Sequence, residues 1–421
     1  MPPLLRSAAL ALTLAATGCA VHDAPPVVFS GAVARYPEDV EARIRRIEAR
    51  ADLAARMARD HVPGVSVAVI EGGVVAWARG YGVQEAGGSA RVTEETVFQA
   101  ASVSKSVSAV AALRLVQDGR AALDEDINQR LTTWKLPVSA PMEGHPVTLR
   151  GLLSHSAGIN VHGFGGYASG ARLPTLHDVL DGRRPANNAP IRCEAPPGRR
   201  AAYSGGGFII AQQLVSDVTA QPFADVMESL VLAPLGMRHS TFAQPLPPIF
   251  WPHAAAAHDA QGVELPGRWH SYPELAAAGL WTTPTDLSRV VIEIQSALSG
   301  GQSRLLGQPI AAQMVTHQLH AGNAGLGVFV TGHGNATRFE HGGVNAGFRS
   351  TMVGLGYTGQ GAVVMSNADS GTKLDGEIVR AIAAEYGWPS PDDHHEDDDA
   401  ALAPEDDDGD LAAALALLSS P

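Results

Sequence analysis

The stretch Phe98-Gln99-Ala100-Ala101-Ser102-Val103-Ser104-Lys105 leads into an apolar-periodic run, Ser106-Val107-Ser108-Ala109-Val110-Ala111-Ala112-Leu113. The pattern predicts a helix that carries Ser102 at its N-terminus and Lys105 one turn further on. Positions i and i+3 share a helical face, so the lysine amine can approach the serine hydroxyl. A free serine hydroxyl is a weak nucleophile and needs an adjacent base to take its proton. Lysine can act as that base only if burial or a cationic neighbour lowers its pKa toward neutrality. The positive end of the helix dipole adds a field that favours developing negative charge. S-x-x-K also arises by chance in helices, with the serine a simple N-cap and the lysine solvated. The rest of the chain decides between these readings.

Working outward, Gly64 to Ile70 and Val74 to Tyr81 are β-rich runs joined at Glu71-Gly72-Gly73, a hairpin signal. Before them, Ala32 to Asp60 favours helix, with Val40, Ile44, Ile47 and Leu53 on an apolar face. After the serine helix, which should end near Asp118-Gly119, residues from about Ala121 to Ala278 read as helices and long loops. Strands return at Leu326 to Val330, Ser350 to Leu355 and Ala362 to Ser366, and a last helix runs from about Leu374 to Tyr386. Strands at both ends of a helical middle imply an α+β fold with one antiparallel sheet flanked by helices. The helical part then forms a second lobe, and the site lies in the cleft between them.

Two more segments carry polar groups suited to chemistry. Pro197-Gly198-Arg199-Arg200-Ala201-Ala202-Tyr203-Ser204-Gly205-Gly206-Gly207 presents a tyrosine on a glycine-rich turn. Phe339-Glu340-His341-Gly342-Gly343-Val344-Asn345-Ala346-Gly347-Phe348 reads as a strand edge with a histidine and glycines. Serine-lysine, then tyrosine, then a basic residue with glycines is the chain order of the penicillin-recognising serine hydrolases. The chain resembles the β-lactamase-related group: class C β-lactamases, D,D-carboxypeptidases, D-aminopeptidases and family VIII esterases. Leu152-Leu153-Ser154-His155-Ser156-Ala157-Gly158, Pro234-Leu235-Gly236-Met237 and Ala278-Gly279-Leu280-Trp281-Thr282-Thr283-Pro284 fit it too, so the resemblance covers roughly residues 55 to 388.

The resemblance implies a β-lactamase/transpeptidase-like fold and an acyl-enzyme formed on Ser102. Lys105 would be the base, and Tyr203 a second proton carrier. A phenol titrates near 10 and needs a cation nearby, which Lys105 would supply. The oxyanion hole would use the backbone N–H groups of Ser102 and Val344. Gly342 and Gly343 would let substrate approach the strand, and Gly205 would border the substrate. His341 would contact a substrate carboxylate, tune Tyr203, or serve merely as a polar strand residue. His155 reads as structural, and so does Cys193.

Two positions depart from the β-lactamase pattern. Tyr203-Ser204-Gly205 stands where those enzymes carry Tyr-x-Asn, so an amide-binding side chain is missing. Histidine replaces the usual lysine at 341, making a fixed charge conditional on pH. Both favour an esterase or a hydrolase of D-amino-acid amides and peptides, with a class C-like β-lactamase or D,D-carboxypeptidase as the alternative. A different class also fits: a membrane-tethered, non-catalytic binding protein on the same fold. Gly64-Val65-Ser66-Val67-Ala68 lacks the closing glycine of G-x-S-x-G, and the chain has no H-E-x-x-H, P-loop or dinucleotide fingerprint. No metal or organic cofactor is therefore expected; the partner is a small ester, amide or β-lactam-like substrate.

The two ends differ from the body. Residues 1–19 read as an export signal in which Ala16-Thr17-Gly18-Cys19 resembles a lipobox, making Cys19 either a lipidation site or part of a removed peptide. The domain proper should span 32–388, facing the periplasm if the lipid anchor forms. The net charge of −13 sits mainly in the acidic segment 390–421, which reads as a disordered tail. Asp392-Asp393-His394-His395-Glu396-Asp397 within it would at most hold a divalent cation weakly, and Leu411 to Leu418 could form a short helix. Without that tail the body is close to neutral, which argues against nucleic acid as a partner.

Overall fold

A computed structural model describes residues 37–320 and 322–389. The expected export signal with Cys19 and the acidic segment 390–421, its cation-binding and helical stretches included, lie outside the described residues. Six strands form one sheet: β1 (Gly64–Glu71), β2 (Val74–Gly82), β5 (Phe329–Thr331), β6 (Arg338–Asn345), β7 (Phe348–Leu355) and β8 (Gly361–Ser366). Their spatial order is β2-β1-β8-β7-β6-β5, every neighbouring pair antiparallel, so the two ends of the chain do build one sheet. A separate two-stranded ladder joins β3 (Phe98–Gln99) to β4 (Trp281–Thr282).

The first hairpin turns on Gly72 and Gly73, whose φ values of 60° and 73° suit glycine. β1 is apolar almost throughout because helices cover both faces of the sheet. On one face Val65, Val67 and Val69 pack with Leu374, Ile378 and Ile382 of the Gly371–Tyr386 helix. That cluster also takes Ile44, Ile47 and Leu53 from the Pro37–Arg50 and Leu53–Arg59 helices, and Arg46 pairs with Glu385 at 2.7 Å. On the other face Val290, Val291 and Ile294 of the Pro284–Leu298 helix join Phe339, Met352 and Val363 in a larger core. This core continues into the helical lobe through the Ser104–Gln117 and Gly205–Thr219 helices.

Two strand expectations shift. The run expected at Leu326 to Val330 contributes only Phe329–Thr331, because Gly327 adopts φ 79° and donates its N–H to Leu153 instead. The segment around His341 belongs to the penultimate strand, and β5 pairs only with Arg338, Phe339 and Glu340. The remainder of β6 therefore has an open edge, and it faces the cleft.

Candidate active site

Residues Ala101–Val103 form a single 3₁₀ turn that runs directly into the Ser104–Gln117 helix. Ala101 has φ 48°, a left-handed conformation that costs energy for a residue with a Cβ and that clusters at functional sites. The helix is buried on nearly every side, which explains why its small residues show no single apolar stripe. Its other serines act as ties: Ser106 donates to the Gly327 carbonyl at 2.6 Å and Ser108 to that of Ala276 at 3.2 Å, while Ser104 accepts from the Leu280 N–H at 3.0 Å. Ser102 alone among them meets the lysine.

Lys105 Nζ lies 2.9 Å from Ser102 Oγ and donates to the Ala277 carbonyl, also at 2.9 Å. Ala277 sits in the short Leu275–Ala278 helix, which approaches across the cleft. Burial without a carboxylate partner lowers the Lys105 pKa to about 7. Near neutrality a large share of the amine is therefore unprotonated, with a lone pair available for the serine proton while an N–H still holds Ala277.

Tyr203 stands on the other side of the lysine, whose Nζ is 5.0 Å from the ring centroid. Burial drives its pKa well above the ordinary phenol value, and the nearby Ser102 hydroxyl only partly opposes that. The expected field of Lys105 does not reverse this, and the phenol keeps its proton. Its hydroxyl is buried and makes no hydrogen bond of normal geometry. The ring is held from behind by His155, with ring centroids 4.4 Å apart, and His155 Nδ1 accepts the Ser204 N–H at 3.1 Å. Burial pushes His155 well below the ordinary histidine range, so it stands behind the tyrosine as a neutral ring.

β6 supplies the opposite wall. Gly343 passes directly beneath the nucleophile turn: a Cβ there would lie 2.2 Å from Ser350 Oγ and 2.4 Å from the Ala100 oxygen. Ser350 donates to that same Ala100 oxygen at 2.7 Å, and Asn345 bridges Gln99 Oε1 at 2.7 Å and the Ala278 carbonyl at 3.1 Å. Asn345 and Phe348 close a two-residue hairpin, so they form a hydrogen-bonded pair and alternate residues back to Phe339 bond to β7. The N–H and C=O groups of Val344 and Gly342 accordingly face the open edge. Gly342 O is taken by His341 Nδ1 at 2.6 Å, so the Val344 N–H is the donor that this stretch of the open edge offers to the cleft.

The structure thus gathers Ser102, Lys105, Tyr203, His341, Gly343 and Val344 around one centre and corrects two expectations. His341 is buried, and its pKa falls to about 3 through burial and the proximity of Lys105, so it presents no cation to a substrate carboxylate. Neutral, with Nδ1–H bound to Gly342, it leaves Nε2 as a buried acceptor without a partner, its ring 6.2 Å from that of Tyr203. Gly205 does not line the cleft. Its N–H bonds the His162 carbonyl at 2.9 Å, and a Cβ there would lie 2.9 Å from Phe164 Cε2. The glycines at 205 and 206 let that loop close over the helix start, and His162 and Phe164 line the cleft instead. Cys193 is buried, with Sγ directed at the Ala195 and Ala157 carbonyls, away from this chemistry.

Sequence reading missed the Ala277 carbonyl, the His162–Phe164 wall and Tyr272, whose hydroxyl accepts the Ala346 N–H at 2.9 Å. The Ala278-Gly279-Leu280-Trp281 run signalled the first of these without revealing that a main-chain oxygen was the functional group. Among the described residues no group of three His, Cys, Asp or Glu side chains is arranged to hold a metal.

The β-lactamase family profile matches residues 49–386. Protein flp of Staphylococcus aureus is 27% identical over 229 residues, 54% of this chain and 43% of that protein. Unguisins hydrolase ungD of Aspergillus violaceofuscus is 28% identical over 239 residues, 52% and 39% of the two chains, so the chain spans less than half the length of either relative. Among solved structures, the octameric penicillin-binding protein homologue from Pyrococcus abyssi superposes with a TM-score of 0.67 at 22% identity, covering 83% of this chain and 78% of that one. The D-amino acid amidase from Ochrobactrum anthropi SV3 gives 0.64 at 22% identity, covering 82% and 99%. The match over residues 49–386, with a fold that agrees with those solved structures, places the chain in the β-lactamase family.

Proposed function

We propose that the protein hydrolyses esters or amides through an acyl-enzyme on Ser102. The observation that carries this is the 2.9 Å contact between Ser102 Oγ and a lysine whose pKa burial lowers to about 7. The neutral Lys105 amine takes the serine proton as Oγ bonds to the substrate carbonyl carbon. The carbonyl oxygen becomes an anion held by the N–H groups of Ser102 and Val344. As the bond to the leaving oxygen or nitrogen breaks, Tyr203 gives that atom its proton and is resupplied from Lys105. Water then attacks the ester carbon, its proton returns through the same pair, and Ser102 Oγ leaves with a proton. The balance is one water consumed, one carboxylic acid and one alcohol or amine released.

A neutral His341 supports esters and D-amino-acid-like amides over anionic antibiotics. The test is mass spectrometry of the protein after brief incubation with p-nitrophenyl butyrate, penicillin or a D-alanyl-D-alanine peptide, with Ser102→Ala in parallel. The expected result is a butyryl adduct and turnover that vanish in the variant, with penicillin the poorest substrate. Protein that turns over nothing and forms no adduct would return the reading to a binding protein on the same fold. Export belongs to the same proposal: Cys19 would carry the lipid that places the domain at the periplasmic face of a membrane. The mass of the mature N-terminal peptide decides between a lipidated Cys19 and a chain cut elsewhere.

A further inference from the structure

A second cavity of about 430 Å³ wraps around the open edge of β6 and continues behind the sheet, alongside the Gly371–Tyr386 helix. It meets the catalytic cleft of about 760 Å³ at Tyr203, Val344 and Arg349, which border both spaces. Ser102, Lys105 and the 162–165 loop face only the cleft, whereas Phe329, His341 and the C-terminal helix face only the second cavity. The groups on the boundary are those that divide a tetrahedral centre. In the mechanism proposed above Val344 would hold the oxyanion and Tyr203 would protonate the departing atom, so the departing group would leave past Tyr203, which also lines the second cavity.

The chemistry of the second cavity is specific. Its ionic groups are already paired: Arg338 with Glu340, Arg380 with Glu377, and Arg349 with Asp369. Arg349 NH1 also donates to the Asn345 and Phe348 carbonyls. The exception is Asp375, fully buried on the wall of the cavity. Ser366 donates to Asp375 Oδ2 at 3.2 Å, while Oδ1 has no partner. Such an atom calls for an N–H or O–H donor. Next to it Gly376 occupies a helix interior, where glycine is unfavourable, and a Cβ there would meet only the tip of Arg380, 3.6 Å away. Val379 and Ala383 add apolar surface to that wall, beside Thr372 and the ion-paired Arg380.

We propose that this cavity is the leaving-group site of the enzyme and that it selects uncharged alcohols or amines with an apolar body and a hydroxyl or amino group that reaches Asp375 Oδ1. The proposal rests on the acyl-enzyme reading above. Carboxylate-bearing leaving groups, such as a terminal amino acid, find no unpaired cation there and meet an acid instead.

The experiment uses three esters with the same butyryl acyl group: ethyl, hexyl and 6-hydroxyhexyl butyrate. All form one acyl-enzyme, so differences in kcat/KM report the leaving group alone. The wild type is expected to favour hexyl over ethyl by about tenfold, and 6-hydroxyhexyl over hexyl by a further few-fold. Gly376→Leu fills the groove and should erase the hexyl-to-ethyl preference, whereas Gly376→Ala, whose Cβ enters open space, should keep it. Asp375→Leu should erase only the preference for the hydroxyl. Equal rates for all three esters on the wild type, or a preference that survives Gly376→Leu in a folded variant, overturns the proposal while leaving the acyl-enzyme intact. Absence of any butyryl adduct on wild-type Ser102 overturns both.

Discussion

The nucleophile and the strand that faces it are assembled in opposite ways. Ser102 and Lys105 lie three residues apart on consecutive buried helical turns, a spacing that lets Nζ reach to 2.9 Å from Oγ, with only the Ala277 carbonyl tying it from afar. β6 reaches the same centre only through contacts made across the fold, such as Ser350 to Ala100, which are 250 positions apart. The proposed reacting groups are therefore local, whereas the proposed donors to the transition-state charge are placed by tertiary packing. Damage to the first arrangement should remove chemistry and leave the fold; damage to the second should reach both.

The largest effects fall on the local pair. Ser102→Ala is expected to lower kcat/KM for p-nitrophenyl butyrate by roughly 10⁴-fold or more, and Lys105→Met by about 10³-fold. Stability should move the other way for the lysine. Its folded pKa of about 7 lies below the ordinary value of 10.5, so between these values the unfolded chain binds a proton that the folded chain does not. The cost of burying it is thus full at pH 7 and below and fades toward pH 10. Lys105→Met should raise Tm most at pH 7 or below and least near pH 10, as calorimetry at the two pH values would read. A lower Tm at pH 7 would mean that the bond to Ala277 outweighs the burial of the charge.

On the strand side, Gly343→Val places atoms within 2.4 Å of the Ala100 oxygen and within 2.2 Å of Ser350 Oγ. The strand must retreat from the nucleophile turn, at a stability cost of about 2–4 kcal/mol. Turnover should fall about a hundredfold because the Val344 donor moves with it. Denaturant unfolding and ester kinetics on the same sample test whether both losses occur together. Turnover lost without a change in unfolding would make this strand as local in its effect as the lysine.

This contrast also explains what the chain disclosed before its structure. The sheet, the two-lobed arrangement and the family were readable because hairpin glycines, apolar periodicity and short motifs are properties of neighbouring residues. The strand edge at 339–348 was readable too, but the reach of β5, which ends after pairing with Arg338, Phe339 and Glu340, was not. Nor was the neutrality of His341: a histidine in the third motif reads as conditional charge until its burial is known. Gly205 misled for a related reason. An absent side chain in a motif suggests an opening, whereas here it admits the loop that carries His162 and Phe164.

The pH profile sharpens the comparison at smaller amplitude. With Lys105 required as the free amine, kcat/KM should rise about tenfold from pH 6 to pH 8 and level off above it. Tyr203, raised by burial, adds no descending limb up to pH 9. A profile flat across this range would show the lysine to be unprotonated throughout, or its ionisation not to limit acylation.

The smallest effect separates the two nitrogens of His341. Nδ1–H ties back to Gly342 O, a group at the open strand edge, while Nε2 is buried toward Tyr203 with nothing to accept. His341→Asn retains a donor at the position of Nδ1 and removes Nε2. Because the imidazole is neutral down to a pKa of about 3, the substitution deletes no charge in the working range. Turnover of neutral esters should stay within about threefold of wild type, the scale of one lost uncharged contact, and the rise through pH 7 should keep its midpoint, because it belongs to the lysine. A midpoint that moves upward in the variant would mean that the imidazole does carry charge beside Lys105, since removing a like charge makes the lysine easier to protonate. The strand wall would then be an electrostatic partner of the nucleophile rather than a frame for it.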